Sequence, residues 1–188
     1  IFNFTPALQT YYDLFEQIET YKIDDLKKSD VVLDIGANIG AFTIAVAKRV
    51  DHVIAVEPLF YDELKANVKL NGLENVTCLP FALGTGDSFE ISFCNKTKTV
   101  QSMKYDDILA RCPKYPTFLK IDCEGGEWST SPKELTEGIR AVEGEFHNFS
   151  YSGRKQDPIR YLDAFRTLGF ECNYSWTPEK QLMVSARR

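Results

Sequence analysis

The sequence predicts an α/β protein built on a parallel sheet, because strands and helices alternate along the first half of the chain. Residues 31–35 and 52–56 are mainly apolar runs, as expected for strands that are covered on both faces. Residues 61–70 repeat apolar side chains at helical spacing, and Asn71-Gly72 ends that helix. Strands joined by helices in this order form parallel sheets with right-handed crossovers.

The segments that flank this unit extend the pattern. Thr5-Pro6 has the form of a helix start, so residues 1–30 are expected to be an N-terminal helical cover, with a second helical piece over residues 23–28. Four further elements and a loop are expected downstream: an alternating strand at 88–93, a polar loop at 95–99, a helix at 102–110, a buried strand at 117–122 and a strand at 139–146.

The end of the sequence completes a single domain. Ser131-Pro132 predicts a capped helix, and the apolar stripe from Ile159 to Leu168 predicts another. Alternation over residues 170–176 and the return at 182–185 predict a terminal β-hairpin. Neither repeats nor a linker interrupt the chain, so residues 1–188 are expected to be one domain whose α/β core spans residues 31–188.

Composition limits the possible partners. The net charge of −5 disfavours a long basic groove, so nucleic acid is an unlikely partner on this criterion, and no segment is apolar enough to enter a membrane. The five cysteines lack metal-binding spacing, which indicates reduced core thiols and a cytoplasmic protein. Because the sequence begins at Ile1 rather than Met, we expect it to be a fragment or a processed form. The oligomeric state is not predicted.

Polar residues follow four predicted strands at their carboxyl ends: Asp34, Glu57, Asp122 and His147. Ligands of open α/β sheets bind at this edge. An unpaired buried carboxylate is costly, so three acids at such positions indicate a binding site.

The turn after the first strand predicts the cofactor. Its pattern is D-x-G-x-N-x-G, from Asp34 through Gly36 and Asn38 to Gly40, and Glu57 follows Gly36 by 21 residues. An acid at that spacing is placed to accept hydrogen bonds from ribose hydroxyls. An acid just before the glycine turn would repel a pyrophosphate and suits an ammonium group. The pattern therefore favours S-adenosylmethionine over NAD.

Longer motifs resemble the FkbM-like family of S-adenosylmethionine-dependent methyltransferases. They are VVLDIGANIG at 31–40, Glu57-Pro58, NVKLNGLENV at 67–76 and FLKIDCEGGE at 118–127, with Glu145-Phe146-His147 after them. The resemblance implies a class I methyltransferase fold, which is a Rossmann-like three-layer sandwich. Its seven-stranded sheet would be mostly parallel, with an antiparallel last strand.

The resemblance also implies roles for individual residues. Asp34, Gly36, Ala37, Asn38 and Gly40 would hold the amino acid end and sugar of S-adenosylmethionine. The ribose and adenine would be contacted by residues of the next two strand ends, namely Glu57, Pro58, Phe81, Ala82 and Leu83.

Asp122, Glu124 and His147 are the candidate catalytic residues beside the methyl group. Loss of a proton from an alcohol benefits from a base or a divalent metal, so the cluster could serve either chemistry, although no metal site is predicted. The resemblance, rather than these residues, implies the expected reaction, which is O-methylation of a hydroxyl on a small metabolite, sugar or polyketide. Two alternatives remain: an RNA base methyltransferase, because residues 67–76 also resemble tRNA guanosine methyltransferases, and a non-catalytic S-adenosylmethionine-binding or partner-binding domain.

Overall fold

The computed structural model describes residues 19–93, 96–150 and 152–188. The helix predicted from Thr5-Pro6 to residue 18 lies outside these residues. The second helical piece, predicted over residues 23–28, is wrong: the chain forms turns there, closed by backbone bonds from Leu26 N to Ile23 O and from Asp30 N to Lys27 O. The side chain of Asp30 accepts the Lys27 N–H, which favours a turn over a continuing helix.

A seven-stranded sheet forms the centre of the molecule, as predicted. Its order is β3-β2-β1-β7-β8-β10-β9, and β10 is antiparallel to both of its neighbours while the other pairs are parallel. The strands are β1 (Val31–Ile35), β2 (His52–Val56), β3 (Val76–Leu79), β7 (Phe118–Ile121), β8 (Ala141–Phe146), β9 (Glu171–Trp176) and β10 (Leu182–Arg187). Strands β1 and β7 are buried throughout, which explains their apolar sequences.

Helices cover both faces of this sheet, so the predicted three-layer arrangement is confirmed. The described helices are α1 (Ala41–Ala47), α2 (Tyr61–Leu70), α3 (Tyr105–Leu109), α4 (Pro132–Thr136) and α5 (Ile159–Thr167), with a short 3-10 helix at Gly126–Ser129. Helices α1 and α2 pack on the face that includes Val53 and Ala55, and α3, α4 and α5 pack on the opposite face with Ile54. Within the described residues, no helix combines the length and apolar character needed to cross a membrane.

A smaller three-stranded sheet differs from the sequence prediction. It consists of β4 (Ala82–Leu83), β5 (Ser88–Phe93) and β6 (Lys96–Met103), in the order β4-β6-β5. The polar residues that predicted a loop at 95–99 instead belong largely to β6, and α3 starts later than predicted. Threonines 97 and 99 favour a strand, and exposure on an outlying hairpin removes the need for apolar side chains.

Residues 19–30 are held to the sheet by an ion-pair cluster. Arg140 binds Asp30, with 2.8 Å between Nε and Oδ1, and also pairs with Asp25 at 2.9 Å. Arg187, in β10, pairs with the same Asp25 at 2.9 Å and donates to the Lys22 carbonyl at 2.6 Å. Arg140, which directly precedes β8, and Arg187 of β10 therefore fix the segment that precedes β1.

The cysteine prediction is supported for the described residues. Cys78, Cys112, Cys123 and Cys172 are free thiols and half-buried. The fifth, Cys94, lies outside the described residues. Burial raises the pKa of Cys78 and Cys112 to about 11, which keeps these thiols protonated and unreactive at neutral pH.

Candidate functional site

The predicted polar strand ends meet at one edge of the sheet. Asp34 lies near the end of β1, Glu57 follows β2, Asp122 follows β7 and His147 follows β8. Because β2, β1, β7 and β8 are consecutive neighbours in the sheet, their carboxyl ends form a continuous row. This row is the candidate functional site.

The glycine turn after β1 is fixed between the ends of β2 and β7. Gly36 and Ala37 donate their N–H groups to the Val56 carbonyl at 2.9 and 3.1 Å. Gly36 has φ of +79°, and a Cβ at this position would lie 1.7 Å from the Asp122 carbonyl oxygen. Asn38, with φ of +51°, also adopts the left-handed region that asparagine tolerates. A side chain at position 36 would therefore separate β1 from the Asp122 loop.

Glu57 is engaged by the same turn. Its carboxylate accepts N–H groups of Asn38 at 2.9 Å, Leu59 at 2.7 Å and Phe60 at 3.0 Å. Burial raises the pKa of Glu57, although these three N–H groups oppose the rise by stabilising the charge. A carboxylate has about four lone-pair positions, so Glu57 keeps capacity for one ligand hydroxyl.

Asp34 is fully buried and faces the protein. Its Oδ2 accepts the Thr43 hydroxyl at 2.6 Å, and its Oδ1 lies 3.2 Å from Lys120 Nζ. Lys120 also donates to the Gly36 carbonyl at 2.8 Å. Burial opposes the charge on Lys120, but Asp34 and Asp122 outweigh it and raise the lysine pKa. The sequence analysis did not predict a role for Lys120. A single charged residue within the otherwise apolar strand β7 could have indicated a buried ion pair.

The residues predicted to lie beside adenine are adjacent to the Asp122 loop. Ala82 and Leu83 are buried in β4, and a Cβ on Gly126 would lie 2.8 Å from the Leu83 carbonyl oxygen. Phe81 is half-buried, with the Arg111 guanidinium 5.6 Å from its ring centre. Residues 81–83 therefore extend the row of strand ends.

Three predicted cofactor residues remain: Gly40, which is the N-cap residue of α1, and Pro58 and Ala37. Pro58 is half-buried at the end of β2, and Lys98 Nζ lies 3.5 Å from its carbonyl oxygen. Ala37 is buried against Leu64 and Val68 of α2. Ala37 can therefore meet a ligand only through its backbone.

The three predicted catalytic residues form one cluster. Potential ligand atoms of Asp122, Glu124 and His147 all lie within 4.8 Å of one another. His147 Nε2 is 3.4 Å from Glu124 Oε2 and 3.9 Å from Asp122 Oδ1. Tyr21 donates its hydroxyl to the other oxygen of Asp122, Oδ2, at 3.1 Å.

Glu127 belongs to the run from Asp122 to Glu127 that the resemblance placed beside the methyl group, but its contact with His147 was not predicted. It is fully buried. Its Oε1 accepts the backbone N–H of His147 at 2.7 Å and also lies 3.0 Å from Nδ1 of the same histidine. Its Oε2 accepts the N–H of Gly125 at 3.0 Å. Glu127 thereby fixes the orientation of the imidazole.

Excess negative charge dominates this cluster. Burial lowers the affinity of His147 for a proton, but the hydrogen bond to Glu127 and the charges of Asp122 and Glu124 raise its pKa to about 9. Burial, with the charge of Asp122, raises the pKa of nearby Glu145 to about 7. The cluster therefore attracts cations and hydrogen-bond donors.

Sequence comparison places the glycine turn in a known context. The profile of the TRM5/TYW2 methyltransferase domain matches residues 8–95. An uncharacterized protein of Methanocaldococcus jannaschii is 32% identical over 165 residues, which cover 79% of this chain and 60% of that protein. The tRNA (guanine(37)-N(1))-methyltransferase Trm5b of Pyrococcus abyssi is 32% identical over 114 residues, covering 60% of this chain and 28% of the enzyme. The chain spans at most 60% of the curated relatives it matches.

Solved structures share the fold. Precorrin-6y C5,15-methyltransferase from Geobacter metallireducens superposes with a TM-score of 0.60 at 12% identity, covering 100% of this chain and 93% of that one. TYW2 from M. jannaschii, determined with AdoMet (S-adenosylmethionine), gives a TM-score of 0.51 at 18% identity, covering 95% and 75%. Fold, glycine turn and matches together define an S-adenosylmethionine-dependent methyltransferase domain, which confirms the predicted class and cofactor.

Two predictions are corrected by these matches. The resemblance to the FkbM-like family is wrong, because the matching profile is that of the TRM5/TYW2 methyltransferase domain. The expectation of a small-molecule acceptor, with nucleic acid unlikely, is overturned by relatives that are tRNA and rRNA methyltransferases. The two errors have different causes. The motifs around Gly36 and Glu57 lie within the matched profile and did not distinguish this family from the FkbM-like family, and the net charge of the whole chain does not report local basic patches.

Proposed function

We propose that this domain transfers a methyl group from S-adenosylmethionine to a ring nitrogen of an RNA base. The observation that carries the proposal is the match of residues 8–95, which include the glycine turn and Glu57, to the TRM5/TYW2 methyltransferase domain. The named tRNA relative, whose similarity covers 60% of this chain, supports the same acceptor class.

The residues at the sheet edge fit the cofactor. Gly36 lets the turn pack directly against the Asp122 loop, where a Cβ would lie 1.7 Å from the Asp122 carbonyl oxygen. Asn38 lies between Gly36 and Gly40 and donates its backbone N–H to Glu57. In our proposal Glu57 accepts a ribose hydroxyl, and Pro58 with Phe81, Ala82 and Leu83 borders the adenine. Ala37 would contact the cofactor only through its backbone. Asp34 acts through Thr43 and Lys120, which fix the turn, rather than by direct contact with the amino acid end.

Asp122, Glu124 and His147 are proposed to receive the acceptor base. S-adenosylmethionine supplies an electrophilic methyl on a sulfonium, so transfer is an in-line displacement that depends mainly on positioning. As the nitrogen–carbon bond forms and the carbon–sulfur bond breaks, the ring nitrogen loses its proton. Glu124, whose side chain is 62% exposed, can accept that proton and release it to solvent.

A nitrogen acceptor is favoured over a ring carbon by the position of Cys123. A pyrimidine carbon is a weak nucleophile and is commonly activated by covalent addition of a thiolate. The Cys123 thiol instead donates to the fully buried Glu127 carboxylate at 3.4 Å, so it points into the protein. A nitrogen with an exchangeable proton needs only a hydrogen-bond acceptor of the kind that Asp122 and Glu124 provide.

Local basic residues support RNA binding despite the net charge of −5. Lys98 reaches the Pro58 carbonyl and so lies beside the end of β2. Arg154 and Lys155 are exposed in the loop after His147, and Lys155 forms a bridge with Phe149 that returns the loop toward the site. Free thiols in the described residues agree with a reducing compartment such as the cytoplasm.

The test measures binding and transfer separately. Calorimetry should detect S-adenosylmethionine binding, and methyl-labelled cofactor should transfer its label to unmodified tRNA or rRNA transcripts, with the product identified by nucleoside mass spectrometry. Asp122→Asn and His147→Gln should lower turnover at least tenfold while changing cofactor affinity little. Asp163→Asn, on the exposed face of α5, is the matched control.

Two outcomes would contradict the proposal. Cofactor binding without labelling of either RNA pool would favour the non-catalytic alternative. Label recovered on ribose rather than on a base would retain RNA as the acceptor but reject base methylation.

A further inference from the structure

We propose that Asp122, Glu124 and His147 bind a divalent transition-metal ion at the acceptor side of the site. This inference deepens the proposed function, and it rests on that function for the acceptor's position. Three different chain positions supply the ligands: Asp122 and Glu124 from the loop after β7, and His147 from the end of β8.

One ligand atom from each of the three residues lies within 4.8 Å of the other two. His147 Nε2 lies 3.4 Å from Glu124 Oε2 and 3.9 Å from Asp122 Oδ1. An ion with bonds of about 2.1 Å holds adjacent ligand atoms about 3.0–3.4 Å apart, depending on tetrahedral or octahedral geometry. Rotation of the Asp122 and Glu124 side chains toward His147 would bring the three atoms to such separations. Glu124, with its exposed side chain, leaves a route for the ion from solvent.

His147 is oriented as a ligand. It is 3% exposed, and its ring Nδ1 is directed at Glu127 while Nε2 faces the two carboxylates. Glu127 also accepts the backbone N–H of the same histidine, so ring and backbone are fixed by one buried carboxylate. A carboxylate behind a histidine selects the tautomer whose other nitrogen can bind a metal.

Asp122 is also oriented so that one of its oxygens is available to a metal ion. Tyr21 donates to Asp122 Oδ2 at 3.1 Å, which leaves Oδ1 as the oxygen that faces His147. Lys120, the nearest buried cation, contacts Asp34 and the Gly36 carbonyl. Three carboxylates, those of Asp122, Glu124 and Glu127, therefore lie within 3.9 Å of the His147 ring nitrogens.

The donor set indicates the class of ion. One imidazole nitrogen with two carboxylate oxygens suits Mn²⁺, Fe²⁺, Co²⁺ or Zn²⁺, whereas Mg²⁺ and Ca²⁺ prefer oxygen ligands alone. Three protein ligands leave coordination positions for a substrate oxygen. An ion here would bind the carbonyl oxygen next to the ring nitrogen of the base and ease loss of the nitrogen's proton, while Glu124 Oε1 remains free to accept it.

The test titrates the chelator-treated, desalted 188-residue chain with Mn²⁺ and follows the free ion by electron paramagnetic resonance. We expect one site per chain, with Zn²⁺ displacing Mn²⁺. Glu124→Gln should weaken Mn²⁺ binding at least tenfold, and its exposed side chain makes unfolding an improbable cause. Glu127→Gln should weaken binding 10- to 100-fold although Glu127 touches no metal. Asp163→Asn should bind as the wild type does.

Stoichiometric binding that Glu124→Gln and His147→Gln abolish supports the site. Binding of Mn²⁺ that these variants leave unchanged, or no binding above that of a non-specific protein, overturns it. Neither result depends on the cofactor or on RNA. Metal binding without RNA methylation would reject the proposed function alone, and full methylation in chelator without metal binding would reject the metal site alone.

Discussion

At the scale of single residues, the site is held together by buried polar groups that bind one another. Asp34 is bound by Thr43 and Lys120, and His147 is bound by Glu127. Such partners offset the cost of removing charge from water. They also keep the strand ends at fixed separations, which methyl transfer requires.

Gly36→Ala should destabilise the protein by about 2–5 kcal/mol, because it combines a strained left-handed conformation with overpacking. The new methyl would meet the Asp122 carbonyl oxygen. Urea denaturation measures the loss, and calorimetry should show weakened S-adenosylmethionine binding. The control is Gly72→Ala, with φ of +62° and open space around the position, for which the expected cost is about 1 kcal/mol. Equal losses in the two variants would contradict this account.

Lys120→Met should cost about 3–5 kcal/mol of unfolding free energy, because it leaves the Asp34 carboxylate buried without its cation. Urea denaturation at pH 7 measures the change. The double variant Asp34→Asn/Lys120→Met should recover part of the loss, since no uncompensated charge remains. A single variant within 1 kcal/mol of wild type would show that the pair contributes little.

At the scale of elements, the sequence predicts best those segments whose environment is set by the sheet. Strands β1, β2 and β7 have apolar sequences because they are covered on both faces, and α2 was predicted with its observed ends. Strand β6 was missed because its outlying hairpin is exposed. Strand ends gave Asp122 and His147, but the partnership of Glu127 with His147 spans 20 residues and arises only in the folded chain.

The attachment of residues 19–30 to β8 should depend on pH through Asp30. Burial alone would raise the pKa of Asp30, but hydrogen bonds from Arg140, the Lys27 N–H and Thr117 outweigh it and lower the pKa. A carboxyl whose pKa is lower in the folded state stabilises the protein above its unfolded pKa of about 4, and this contribution is lost as pH falls through the folded value.

Asp30→Asn should therefore cost about 2 kcal/mol at pH 7, and its difference from wild type should narrow below about pH 4. Urea midpoints between pH 7 and pH 3 provide the comparison. Asp163→Asn, which alters an exposed pair on α5, should follow the wild-type curve. If the stability difference between Asp30→Asn and the wild type stays constant with pH, the ionised Asp30 carboxylate is not the source of the stabilisation.

At the scale of the whole molecule, the residues that we propose for the cofactor and for the acceptor lie in different parts of the chain. Residues 8–95, which match the methyltransferase profile, contain the glycine turn and Glu57. The proposed acceptor residues Asp122, Glu124 and His147 lie beyond that match. In our proposal the first half identifies the class of reaction, and the residues that contact the acceptor lie in the second half.

RNA binding should depend only moderately on salt, because few cations lie near the site. If Lys98, Arg154 and Lys155 neutralise phosphates, the logarithm of the association constant should fall with a slope of about −2 to −3 against the logarithm of salt concentration. Arg154→Ala should reduce the slope by about 1. Filter binding over a salt series measures both, and a slope unchanged by Arg154→Ala would place the RNA elsewhere.

The contact between Arg187 and the Lys22 carbonyl joins residues 165 positions apart. Strand β10, which carries Arg187, also inserts between β8 and β9. A sheet completed by such distant pairings folds slowly, because the chain loses loop-closure entropy before the stabilising contacts between distant strands form. During synthesis, one edge of β8 keeps unpaired N–H and C=O groups until β10 has been made. Such an open edge can pair with another chain and so promotes aggregation. Strand β8, which His147 follows, is thus a segment of the nascent chain that a chaperone would protect until β10 is made.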